Sequence, residues 1–310
     1  MSKSPLRVAL LGALLAFTIG CQQQSPEAGA PAVQANANTP DAVLMASVKL
    51  LKAGDFNGLI QNALPPAEVA KIKADWGKDQ EPITEEDRAK FNETIGKLTA
   101  PGAEEAIYAE IEPQLKQFDA TYQQQVPMYV AMGTGWLQST IQQNKDMSEE
   151  SKQQALAAVD ALGKWVGSTR FTDPDKVKQV IAITVKAARD LNLKSLDEAR
   201  ALSYDDGMKK GQVVFAAVKQ ALKVYGFSLD DTLDSIKSEV VSNDGKAAKL
   251  KVSYTLLGTP LTGETEMVNV DGRWYGKDTI DKLKDKAVAE AAPAASAPAD
   301  DSAVSAPAKD

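Results

Sequence analysis

Residues 249–256, KLKVSYTL, alternate: Leu250, Val252, Tyr254 and Leu256 fall on one side, and Lys249, Lys251, Ser253 and Thr255 on the other. A period of two specifies a half-buried strand. Residues 41–235, by contrast, space their apolar side chains three and four apart, the period of a helix. A chain whose hydrophobic period changes once, helices first and strands last, is restricted to an α+β layout, a mostly α-helical body followed by a small sheet.

The helical part is punctuated clearly. Thr39-Pro40-Asp41 reads as cap, first-turn proline and first-turn acid ahead of Leu44, Val48 and Leu51. Thr84 caps a segment carrying Phe91, Ile95 and Leu98, which Pro101-Gly102 ends. Ala103 to Gln125 is periodic through Ile107, Ile111, Leu115 and Phe118, with Pro113 expected to kink it. Ser148 opens a helix bearing Leu156, Val159, Leu162 and Val166, and Thr172-Asp173-Pro174 one bearing Val177, Ile181, Val185 and Ala188. Ser195 and Glu198 have capping-box spacing. A helix from Asp206 to Tyr225 is expected to turn Val214, Val218 and Leu222 inward and to stop at Gly226. Seven or eight helices are expected. Turns at Asn243-Asp244-Gly245, Gly258-Thr259-Pro260 and Asp271-Gly272 then divide residues 236–277 into a four-stranded antiparallel meander, whose apolar face should rest on one or two late helices.

The N-terminus has a different organisation. Lys3 and Arg7 precede a short apolar run from Val8 to Phe17, closed by Thr18, Ile19, Gly20 and Cys21. Basic start, short apolar segment and small residues describe a secretory signal over residues 1–20. The run is shorter than the roughly 20 residues a membrane-spanning helix needs. Ile19-Gly20-Cys21 resembles the bacterial lipobox, with Thr18 where that family usually has leucine. The resemblance implies that Cys21, the chain's one cysteine, is lipidated and becomes the membrane attachment. Gln22, in place of an aspartate, implies the outer membrane, with the body in the periplasm. Several acyl chains give an anchor far stronger than one.

Residues 21–40 and 288–310 are rich in alanine, proline, glutamine and serine and poor in apolar bulk. The first reads as a disordered tether, holding the body roughly 20–25 Å from the membrane, and the second as a solvated tail. Residues 41–235 then form the helical region, and 236–287 the meander with a short helix. Segments 247–258 (AAKLKVSYTLLG) and 268–278 (VNVDGRWYGKD) resemble the closing strands of small lipoprotein domains with a nuclear-transport-factor-like fold. That family has a cone-shaped, pocket-forming scaffold with many roles, so the resemblance implies a fold and no activity.

The chain has no histidine, which removes serine and cysteine triads, zinc-protease helices and imidazole-ligated metals. Phosphate-binding glycine loops, Ser-x-x-Lys and Gly-x-Ser-x-Gly are absent too. Glu104-Glu105, Glu149-Glu150, Asp205-Asp206 and Asp230-Asp231 fall at expected helix starts, where a carboxylate complements the dipole. No cofactor is implied. The net charge of −7 becomes −9 once Lys3 and Arg7 leave with the signal, which disfavours nucleic acid as a partner.

One stretch stands apart, VPMYVAMGTGWLQ at 126–138. Met128, Met132 and Trp136 share a helical face with Tyr129 beside them, on a backbone weakened by Gly133 and Gly135. It reads either as an adaptable binding surface or as a core face with a helix break. Trp76, Trp165 and Trp274 read as packing anchors. The function expected is a non-enzymatic, lipid-anchored envelope protein that binds another envelope protein. Its rivals are a periplasmic inhibitor or immunity-type protein, and a carboxylate-dependent glycan hydrolase.

Overall fold

A computed structural model describes residues 38–78, 80–145 and 147–291. The signal, the Cys21 lipidation site, most of the tether and most of the tail lie outside the described residues. Among the described residues eleven helices, more than the seven or eight expected, and four strands follow in the expected order. They are α1 (Pro40–Ala53), α2 (Phe56–Ala63), α3 (Pro66–Asp75), α4 (Glu85–Thr99), α5 (Ala103–Gln143), α6 (Glu149–Ser168), α7 (Pro174–Leu191), α8 (Leu196–Arg200), α9 (Tyr204–Val224), α10 (Leu229–Asp234), β1 (Lys237–Asn243), β2 (Ala247–Leu256), β3 (Thr259–Val270), β4 (Arg273–Gly276) and α11 (Lys277–Ala291). The fold is α+β.

The strands form one antiparallel sheet in the order β1-β2-β3-β4. Two hairpins close on adjacent left-handed residues, Leu257-Gly258 (φ 51 and 82) and Asp271-Gly272 (φ 51 and 81). That double positive φ matches the twist of the flanking strands. The first of these turns lies earlier than expected, because Thr259 and Pro260 already pair with Leu256 and Thr255. Ala248, Leu250, Met267 and Trp274 on one sheet face form a buried core with Leu44 and Val48 of α1 and Leu233 of α10. Helix α10 is thus only part of the cover: α1 also packs on the sheet, and α6 packs against β3, where Gln154 Nε2 donates to Tyr254 Oη (3.3 Å) and its side chain lies over Gly263. Tyr275 points to the opposite face and is buried where α11 crosses β3 and β4. Residues assigned to the tether and tail belong to this unit as well. Pro40 is fully buried, Asn38 Nδ2 donates to Gly272 O (2.7 Å), and α11 continues to Ala291.

A second core joins Ala103 of α5 to Val177, Ile181 and Val185 of α7, with Leu98, Ile107, Tyr108, Ile111 and Leu115 packed around them. The α7 stripe is the one its sequence period specifies. Helix α9 differs. Val214 and Val218 are exposed, because Phe215 meets Phe56 edge-on at 5.3 Å and Gly211 faces the same ring, fixing a different side of the helix inward. At α8, Ser195 Oγ accepts from Glu198 N (3.0 Å), but the Glu198 carboxylate accepts from Lys194 N rather than closing the box on Ser195. The reciprocal capping box is at α4, between Thr84 and Asp87.

The tryptophans pack against rings and carbonyls. Trp165 Nε1 donates to Tyr225 O (2.8 Å) between the edges of Phe171 and Phe227. Trp76 is 40% exposed, and its Nε1 donates to Leu202 O (2.9 Å) while its ring meets Tyr204 edge-on. All four paired acids occupy first helical turns, as their dipole role requires.

Candidate functional site

Helix α5 runs unbroken for 41 residues, about 60 Å at 1.5 Å per residue. Neither Pro113, nor Pro127, nor the pair Gly133 and Gly135 ends it, so the expected helix break is not formed. Its two halves live in different surroundings. The first half is covered by α4 and α7, and α7 runs antiparallel to it. Arg189 at the end of α7 pairs with Glu104 (2.8 Å), while Arg170 and Thr172, just before its start, both bind Asp119 (2.5–2.9 Å). Cover on this face therefore stops level with Asp119.

Beyond Asp119 the helix meets α6 along a narrow stripe. Val130 and Thr134 approach Gly163 and Gly167, and a Cβ at Gly163 would lie 2.7 Å from Thr134 Cγ2. Gln138 Nε2 donates to Asp160 Oδ1 (2.8 Å). The two glycines of α6 are what let the helices come this close.

Met128, Tyr129, Met132 and Trp136 occupy the side away from α6, within about 100° of arc. Their exposures are 52%, 57%, 64% and 68%. The core reading of this face is therefore excluded. The structure brings all four together on one surface, and Phe118 extends it at 56% exposed. Nothing lies within 4 Å of where a Cβ would stand at Gly133 or Gly135. Those glycines flank the exposed ridge and leave a partner backbone free to approach it. Scattered exposed apolar residues are ordinary, but a contiguous row of large soft and aromatic side chains marks an interaction site.

Two features of this surface were readable in the sequence and escaped the periodicity argument. The segment 120–144 contains no Asp, Glu, Lys or Arg. Positions 108, 111, 115, 118, 122, 125, 129, 132 and 136 alternate spacings of three and four, and Gln125 alone among them is neither aliphatic nor aromatic. A 3-4 repeat sustained this long is the seam of a helix that pairs with another helix.

The surface has no acid–base chemistry of its own. Asp119 at its border is the nearest perturbed group, and the Arg170 guanidinium, with the Thr172 hydroxyl, holds its carboxyl below the usual carboxylate range. A depressed folded value means stabilisation that is full above the ordinary carboxylate pKa of about 4 and lost as pH falls through the folded value. Thermal unfolding followed as the solution is acidified will therefore fall more steeply for the wild type than for Asp119→Asn. Parallel curves would show that the Asp119 contacts carry no linkage.

Two shallow depressions lie elsewhere on the described residues. The larger, about 490 Å³, is bordered by Arg189 and Lys194 and by no carboxylate. The other, about 250 Å³, has one acid, Asp190, paired with Lys186 (2.5 Å). Among the described residues no three potential metal ligands converge, and no helix is long and apolar enough to cross a membrane. Comparison with known protein families, characterised proteins and solved structures finds no match to this chain.

Proposed function

We propose that the chain is a non-enzymatic envelope lipoprotein, held at the outer membrane through acyl chains on Cys21, whose body docks another envelope protein on the bare half of α5. The observation that carries this is the exposed, charge-free row Met128, Tyr129, Met132 and Trp136 on a long helix. Met side chains adapt to a partner's shape, and Trp and Tyr supply large contact area at small entropic cost. A hydrolase is less well supported, since neither depression brings two acids face to face. An inhibitor or immunity-type protein would use the same face and differ only in what it meets.

A photo-reactive residue at position 132, activated in intact envelopes, tests the docking role. A protein adduct is expected, and the absence of any protein adduct would overturn it. Anchoring is tested with a fatty-acid analogue. Label should be lost, and the protein released or left unprocessed, in Cys21→Ser; label persisting on that variant would place the acyl chains elsewhere.

A further inference from the structure

We infer that the bare half of α5 pairs antiparallel with the same half of a second copy of this chain. This rests on reading that face as a docking surface, and it places a second copy of this chain there in place of a different envelope protein. The 3-4 seam of α5 is continuous, yet α7 covers only its first part and stops beside Asp119. The uncovered length, 119–143, has its midpoint at residue 131. A second α5 centred there, running antiparallel, overlaps this length with itself and lies in line with α7, in the direction α7 already takes. Tyr129 then faces Met132 of the other copy at the centre. A parallel copy would instead bring two α4–α7 layers to the same end of the same seam, where there is space for one.

Charge and area point the same way. With no ionised side chain from 120 to 144, two identical faces meet without like-charge repulsion, and a charged partner would find no complement. Phe118, Met128, Tyr129, Met132 and Trp136, between 52% and 68% exposed, present about 600 Å² in all if a whole side chain carries roughly 200 Å². Doubled in a symmetric pair, that is about 1,200 Å², the lower bound of a standard-size interface. Gly133 and Gly135 sit beside the two-fold axis, where a bare backbone allows the helices to close.

The full chain carrying Cys21→Ser is free of cysteine and serves as the background. Sedimentation at rising concentration should show a monomer–dimer equilibrium. Met132→Glu with Trp136→Glu should weaken the dimer at least tenfold, while the unfolding midpoint, read at a concentration where both proteins are monomeric, stays unchanged. Phe118→Cys with Gln143→Cys should give a disulfide-linked dimer on oxidation, and neither single variant should. A chain monomeric at every soluble concentration, a dimer that survives the double glutamate variant, or cross-linking through Phe118→Cys alone would each overturn the inference. Photo-cross-linking at 132 separates this from the docking role itself: an adduct with a different protein, from a chain that stays monomeric, rejects the second copy and keeps the surface. No adduct of any kind rejects both.

Discussion

Replacing Leu250 with alanine will destabilise the protein by about 3–5 kcal/mol, the range for emptying a fully packed leucine site. Leu250 has no exposed surface, and it lies on the central part of β2 between Leu44 and Val48 of α1 and the Met267 and Trp274 side chains. The cavity would be walled by a sheet on one side and a helix anchored by its own proline start on the other, so little collapse can fill it. Denaturant unfolding with an unchanged slope and a lowered midpoint is the expected reading. A loss below about 1 kcal/mol would mean that α1 does not cover the sheet as described.

Ile181→Ala will cost about 2–4 kcal/mol in the other core. Ile181 is packed with Ala103, Val177 and Val185, where α7 closes on the first half of α5. The two cores share no buried residue, so the Leu250→Ala and Ile181→Ala losses should add to within about 0.5 kcal/mol if the body unfolds as one unit. Separate transitions would instead mark the sheet unit and the α4–α5–α7 unit as independently stable.

Much of this architecture was legible because it is local. The single change of period placed the sheet after the helices, the Asp271-Gly272 pair fixed its last hairpin, and Ser148, Thr84 and Asp173 cap the helices that they precede. What escaped is set by distant contacts. No local rule says that Leu44 covers a strand two hundred positions away, or that Phe56 selects the side of α9 that faces inward and leaves Val214 and Val218 exposed. Gly133 and Gly135 signal a helix break locally, but the helix, which packs on α7 and α6 along much of its length, continues through them and through Pro113 and Pro127.

The candidate surface illustrates the same limit in a sharper form. Period alone reports that a helix face is apolar; it does not report whether anything covers it. Ile111 and Trp136 belong to one repeat, yet one is packed against α7 and the other is 68% exposed. The missing information was in the charges. Exposed helices normally solvate themselves with Lys and Glu, as α4 does with Lys90, Glu86, Lys97 and Glu93. Segment 120–144 does not, and that departure from ordinary surface composition is what the proposed docking role rests on.

The most direct test of that role is the double variant Met132→Glu with Trp136→Glu, carrying a photo-reactive residue at Met128 and compared with the same probe in the wild type. Substitutions at exposed positions away from structural contacts shift stability by about 0.5 kcal/mol or less. The unfolding midpoint should therefore stay at the wild-type value while the protein adduct formed in intact envelopes disappears. A midpoint that falls by several degrees would show that these side chains hold the body together, and an adduct that persists at full yield would show that the partner docks elsewhere.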